Sequence, residues 1–183
     1  ISDRQGYLLF YTNGFHVWNR DHQVMPNGSN LAGSFSAMQG QLITPVIGDS
    51  NRYYIFTTAY SENDNKGFNY SIVDMTLDNG RGDIDTAFKN VNLLSPPFYE
   101  NAEKVAAILH CNGKNYWVIT VLKDSLKFFA FLVTAGGVDP SPRVSTFFTP
   151  AGFWNGFGYL VPSMDGNNII RTNKDRKSTR LNS

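Results

Sequence analysis

Apolar and aromatic residues fall in short, nearly unbroken runs such as Leu8-Leu9-Phe10-Tyr11, Tyr53-Tyr54-Ile55-Phe56 and Phe128-Phe129-Ala130-Phe131-Leu132-Val133. A half-exposed antiparallel strand would alternate polar and apolar positions, so unbroken runs predict strands covered on both faces. Four strands share one lead-in, an apolar segment that ends in a polar Asp or Asn turn. The turn residues are Asp3, Asp49, Asn112 and Asp165, separated by 46, 63 and 53 residues. Repeats of roughly 40–50 residues made of four strands are the pattern of propeller blades.

With the strands of a repeat labelled a to d, the second repeat predicts strands over residues 41–47, 53–59, 68–75 and 89–94. The third predicts them over 105–111, 115–122, 128–133 and 143–148. The first supplies the end of a, then 8–12, 15–19 and 23–25; the fourth supplies 158–162 and 168–171. The expected fold class is therefore all-β, a β-propeller fragment of about three four-stranded blades plus the start of a fourth. The blades lie near 1–26, 41–94, 103–148 and 157–174, within one partial propeller over 1–174. One segment competes with this register. Residues 101–110, Asn-Ala-Glu-Lys-Val-Ala-Ala-Ile-Leu-His, are good helix formers at helical spacing. The repeat nevertheless requires a strand from Val105 onward.

Composition agrees with many short strands joined by tight turns: aromatics reach 14%, charged residues only 17%, and Gly and Asn are plentiful. No apolar run approaches the length of a membrane-spanning helix. The single cysteine, Cys111, excludes an internal disulfide framework and chooses no compartment. Residues 175–183, Asp-Arg-Lys-Ser-Thr-Arg-Leu-Asn-Ser, resemble the translation of a sequencing-library adapter and are set aside from fold reasoning as a non-native tail. That changes the charge picture. The tail carries a net +2, so the chain moves from +1 to −1 without it. No basic stripe remains, and nucleic acid is not an expected partner.

Four segments resemble the WD-like β-propeller region of large exported proteins of gliding-type bacteria, many of which end in a type IX secretion sorting domain. They are residues 6–14, residues 17–28, Tyr70-Ser-Ile-Val-Asp-Met75, and His110-Cys-Asn-Gly113 with Tyr116-Trp117. Ser163-Met-Asp-Gly-Asn-Asn-Ile169 is also similar to the Ser-Pro-Asp-Gly turn of WD-like periplasmic repeats, with Met164 in place of proline. The resemblance implies a WD-like propeller, export, and an extracellular or cell-surface location. It carries no particular ligand or reaction.

Candidate chemistry is sparse. Arg81-Gly82-Asp83 spells an adhesion tripeptide, but Asp78-Asn-Gly-Arg-Gly-Asp83 is better explained as a glycine-rich reversal. Glu62, Asp64 and Gly67, or Asp78, Asp83 and Asp85, evoke calcium loops. Lys66 and the wrong spacing argue against both, leaving solvated loops and no metal site. His16 and His22 could share a strand face without making a zinc site. His110 and Cys111, neighbours in a predicted strand, would point to opposite faces and could not act as base and nucleophile together. Asp3, Asp49 and Asp165 recur at equivalent turns, where side-chain bonds to the turn backbone explain them better than glycosidase chemistry does.

The expected binding residues are Phe98, Tyr99, Phe153 and Trp154, in the long aromatic connections between the d strand of one repeat and the a strand of the next. Aromatic faces beside Asn suit stacking on sugars or peptide side chains. The expected function is a non-enzymatic, surface-displayed scaffold that binds protein or glycan, with no cofactor and no membrane span. An isolated fragment is expected to self-associate through its uncovered end sheets. The alternative is a propeller enzyme domain, quinoprotein-dehydrogenase-like or glycosidase-like. An enzyme would converge carboxylates or histidines near the axis; a scaffold would have an apolar, uncharged centre.

Overall fold

The computed structural model describes residues 1–58, 66–94, 101–122, 127–146, 158–163, 165–166 and 168–172. These residues hold no α-helix. They form four antiparallel sheets, none of them closed, with two short 3-10 turns. The first sheet pairs β1 (Phe10–Thr12) with β2 (Val17–Asn19). The second contains β3 (Gln41–Val46), β4 (Asp49–Thr58), β5 (Phe68–Asp74), β6 (Asp83–Ile84) and β7 (Val91–Leu94). The third contains β8 (Asn101–Leu109), β9 (Tyr116–Leu122), β10 (Lys127–Thr134), β11 (Gly137–Val138) and β12 (Arg143–Thr146). The fourth pairs β13 (Leu160–Pro162) with β14 (Ile169–Arg171).

The unbroken apolar runs are explained by packing on both faces. Successive strand residues point to opposite faces. Tyr54 and Phe56 of β4 therefore join Val118, Phe129, Phe131 and Val133 of the third sheet in one core, while Ile55 of the same strand joins Phe10, Val17 and Met25 in another. The third sheet divides in the same way. Val118, Phe129 and Phe131 face the second sheet, and Ile119, Phe128 and Ala130 meet Leu160 and Ile169 of the fourth. The sheets thus stack in chain order, with one apolar layer between each consecutive pair.

The ambiguous segment is a strand. β8 covers the helix-like stretch and pairs antiparallel with β9, from Asn101↔Leu122 to Leu109↔Tyr116, with a bulge after Asn101. Tertiary pairing overrides helix propensity here. The short strands β6 and β11 escaped the sequence pattern. β6 and β7 both pair with β5, and β11 and β12 both pair with β10, so the outermost strand is interrupted in each of the two larger sheets. In the second sheet a 3-10 turn at Thr86–Phe88 makes the interruption, capped by Asp85, whose carboxylate accepts the Ala87 N–H. Before β5, Gly67 has φ +75°, and a Cβ there would lie 1.9 Å from the Leu94 carbonyl oxygen. Only glycine fits that approach.

The recurrent Asp and Asn residues hold the turns. Asp3 Oδ1 accepts the N–H groups of Gln5 and Tyr7 at 2.9 Å each, and Asp49 Oδ1 accepts that of Asn51 at 2.9 Å. Asn112 Oδ1 accepts those of Lys114 and Asn115 at 3.0 Å each. Asp165 works differently: its carboxylate accepts from Ser163 Oγ, and Ser163 Oγ in turn accepts the Asn168 N–H at 2.9 Å.

Candidate functional site

Phe98, Tyr99, Phe153 and Trp154 lie outside the described residues, as do Glu62 and Asp64. What the described residues bring together is a charged, buried junction where the first long strands of successive sheets meet. The segment leading into β3 runs beside β8 as a parallel strand would. Gln39 N–H donates to the Glu103 carbonyl at 3.1 Å, and Val105 N–H donates to the Gln39 carbonyl at 3.2 Å. The Gln39 side chain then reaches the fourth sheet. Its Oε1 accepts the Leu160 N–H at 2.6 Å and its Nε2 donates to the Leu160 carbonyl at 3.1 Å. Three sheets meet at one glutamine.

Glu103 and Lys104 are both fully buried at this junction. Glu103 Oε2 accepts the Met38 N–H at 3.0 Å, and Lys104 Nζ donates to the Thr172 carbonyl at 2.8 Å. Burial pushes the Lys104 ammonium down from 10.5 to about 7, the nearby Arg171 charge adds to the effect, and Glu103 opposes it. An amine of that pKa is a nucleophile near neutrality when substrate can reach it. Lys104 is instead buried and bonded to a carbonyl of the last sheet, so its contacts are those of a tie between sheets. The meeting strands carry buried ionisable side chains, and these are hydrogen-bonded across the sheets.

The remaining candidates separate clearly. Asp83 belongs to no solvated loop: it is buried, and its carboxylate accepts the backbone N–H of Asn27 at 2.8 Å and the Asn27 side-chain amide at 2.6 Å. Arg81 of the same tripeptide is exposed and bonds Asp78 at 3.0 Å. An adhesion tripeptide needs both charges free, and here the acidic one is consumed between the first two sheets.

A cleft of about 510 Å³ opens beside it, lined by Asp74, Asp78, Asp83 and Asp85 among others. Arg52 bridges Asp74 at 3.6 Å and Asp85 at 2.5 Å. Against the cost of its partial burial, hydrogen bonds from Thr76 and the charge of Arg52 hold the Asp74 carboxyl below its usual range. Each of these four carboxylates is satisfied by neighbouring protein groups. Among the described residues, no three His, Cys, Asp or Glu side chains gather as a metal site would require.

The histidines differ from expectation in one respect. β8 ends at Leu109, so His110 and Cys111 open a turn and are not opposed across a strand; Sγ lies 3.7 Å from Nδ1. Nδ1 already accepts the Asn112 N–H at 3.1 Å, which commits its lone pair to the turn. His16 and His22 do share a face, but as the ends of an aromatic row. His22 meets Tyr11 at 5.8 Å between ring centres, Tyr11 stacks on Trp18 at 5.3 Å, and Trp18 meets His16 at 5.5 Å.

Comparison of the chain with protein-family models, with curated proteins and with solved structures finds no match.

Proposed function

We propose that the four sheets are successive blades of a WD-like β-propeller, and that the chain is a non-enzymatic binding scaffold for protein or glycan, exported and displayed at the cell surface. The observation that carries the architecture is the junction at Gln39. Antiparallel sheets stack in chain order, and the strand that opens each later sheet lies at a common edge, as inner strands do around a propeller axis. Export and surface display rest on the sequence resemblance. The proposed binding face is the side of the disc that carries the connections from the last strand of one sheet to the first strand of the next, with Phe98, Tyr99, Phe153 and Trp154 as its aromatic contacts. The binding test is a glycan and peptide array probed with the whole chain and with a Tyr99→Ala, Trp154→Ala double variant. Weakened binding at an unchanged melting temperature supports the reading. Equal binding by both proteins, or simple unfolding of the variant, makes the rings structural and removes this site.

The enzymatic alternative needs convergent reacting groups open to substrate. The ionisable groups at the junction are buried and bonded across sheets, which favours the scaffold.

A further inference from the structure

The fourth sheet is held to its neighbours by an apolar layer and by polar ties of two kinds. In the layer, Ala106, Ile119 and Phe128 of the third sheet meet Leu160 and Ile169. The amide of Gln39 ties the Leu160 backbone, and no charge enters that bond. The other tie ends in an ionisable group: Lys104 Nζ donates to the Thr172 carbonyl at 2.8 Å. Thr172 closes the β13–β14 hairpin. Its N–H donates to the Tyr159 carbonyl at 2.9 Å, and its hydroxyl accepts the Tyr159 N–H at 2.8 Å. Lys104 therefore grips the hairpin at the end opposite its turn.

Lys104 is fully buried in this contact. Among the described residues, the charged groups that act on it are Glu103, beside it on β8, and Arg171 on β14. Residues 31–40 and β13 bring no ionisable side chain. The ionisable residue of β9 is Tyr116, at the far end of that strand and bonded to Thr44. An ammonium in this position has left water and lies near the Arg171 charge. Both effects favour the neutral amine, and Glu103 opposes them in part. The neutral amine keeps N–H groups, so the tie to Thr172 outlasts the loss of charge. Once the hairpin moves away, Nζ is in water and its ordinary affinity for a proton returns.

We infer that the Lys104–Thr172 contact is a proton-operated latch: the fourth sheet seats on the third with the Lys104 amine neutral, and lifting the sheet is coupled to uptake of a proton at Nζ. Lifting bares Ala106, Ile119 and Phe128, so the latch sets how often that apolar layer meets solvent. The seated amine titrates at about 7 and a solvated one at 10.5. Between these values the lifted state holds the extra proton, so lifting becomes easier as pH falls, and the dependence levels off below about 7. Such an opening costs less than global unfolding, because the second and third sheets keep their shared core.

The test is NMR-detected hydrogen exchange of the full 183-residue chain. The probe is the Leu160 N–H, whose acceptor is the Gln39 side chain and which is freed when the sheet lifts. The amides shared by β4 and β5 give the reference for deeper opening. After division by the intrinsic rate, Leu160 should be less protected than the reference. Its protection should rise about fiftyfold from pH 7 to pH 9, the effect of one proton bound between those two pKa values. Lys104→Met has no proton to take up, and its Leu160 protection should not vary with pH. Lys104→Arg, charged throughout the range, should remove the rise as well, and it serves if the Met variant does not fold. Leu160 protection that ignores pH in the unmodified chain overturns the latch. So does a rise that survives in the variant, which assigns the proton to another group. Protection equal to that of the β4–β5 amides also overturns it, since the sheet then opens only with the whole chain.

Discussion

The Gln39 side chain pairs with the Leu160 backbone as one strand residue pairs with another, accepting its N–H and donating to its carbonyl across 121 residues of sequence. Leu160 is fully buried and begins β13, so these groups are shielded from water. With the Gln39 backbone already bonded to β8, one residue ties the second, third and fourth sheets together.

Replacing Gln39 with Ala should therefore destabilise the chain by about 2–4 kcal/mol, since a buried N–H and a buried C=O each lose a partner. Gln39→Glu keeps the acceptor and loses the donor, so it should also destabilise the protein near pH 7 and recover as the carboxyl is protonated in acid. Urea unfolding of both variants at pH 7 and at pH 4 measures this. A Gln39→Ala midpoint equal to that of the unmodified chain would show that the amide only lies against β13.

Burial separates two aromatic residues that look alike in sequence. Phe131 is fully buried, with its ring 5.5 Å from that of Phe68, whereas Trp117 is only half-buried on the layer facing the fourth sheet. Phe131→Ala should cost about 3–5 kcal/mol. Trp117→Ala should cost clearly less, because its ring is only half-buried. Denaturation of the two variants side by side gives the order, and a larger loss at Trp117 would refute the packing assignment.

Strand positions were legible because most strands carry a local compositional signal. β-branched and aromatic runs such as Tyr116 to Leu122 have little other use, and Asp or Asn at the turns announces itself by type. The stacking was legible as well, since a run without alternation has no solvent face. What escaped was everything fixed by contacts between distant segments. Gln39 sits in a Gly- and Ser-rich stretch with no strand pattern, and nothing nearby signals its partner. The short strand at Asp83–Ile84 is specified by Asn27, 56 residues earlier, and looked like part of a loop. Glu103 and Lys104 gave no sign of burial in the sequence, because charge normally marks exposure. Their burial depends on carbonyl and N–H partners supplied by the Met38 and Thr172 backbones.

The two charges of the Arg81-Gly82-Asp83 tripeptide should have unequal effects. Removing the Asp83 carboxylate strands the Asn27 N–H between two sheets, so Asp83→Ala should cost about 1–3 kcal/mol. Arg81 is exposed, and Arg81→Ala should stay within about 0.5 kcal/mol of the parent. Thermal melts of the two variants suffice. Equal and negligible effects would mean that Asp83 does not join the first sheet to the second.

Lys104 and Tyr116 together predict how stability varies with pH. The Lys104 pKa falls from 10.5 to about 7 in the folded chain because burial disfavours its charge. Between those values the unfolded chain binds more protons, so stability should rise as pH increases from about 7 toward 10. Burial moves the Tyr116 phenol the other way, from 10.0 up to about 12, while its OH bonds Thr44 at 2.8 Å and the Pro45 carbonyl at 3.1 Å. Its contribution is complete below pH 10 and is lost as pH rises toward 12; Tyr54 and Tyr70, also raised by burial, act in the same direction. The melting temperature should therefore climb from pH 7, peak near pH 10 and then fall. Lys104→Met should flatten the climb and leave the fall, whereas Tyr116→Phe should soften the fall and leave the climb. A melting temperature that declines steadily from pH 7 to 10 in the unmodified chain would mean that Lys104 keeps its charge in the folded protein.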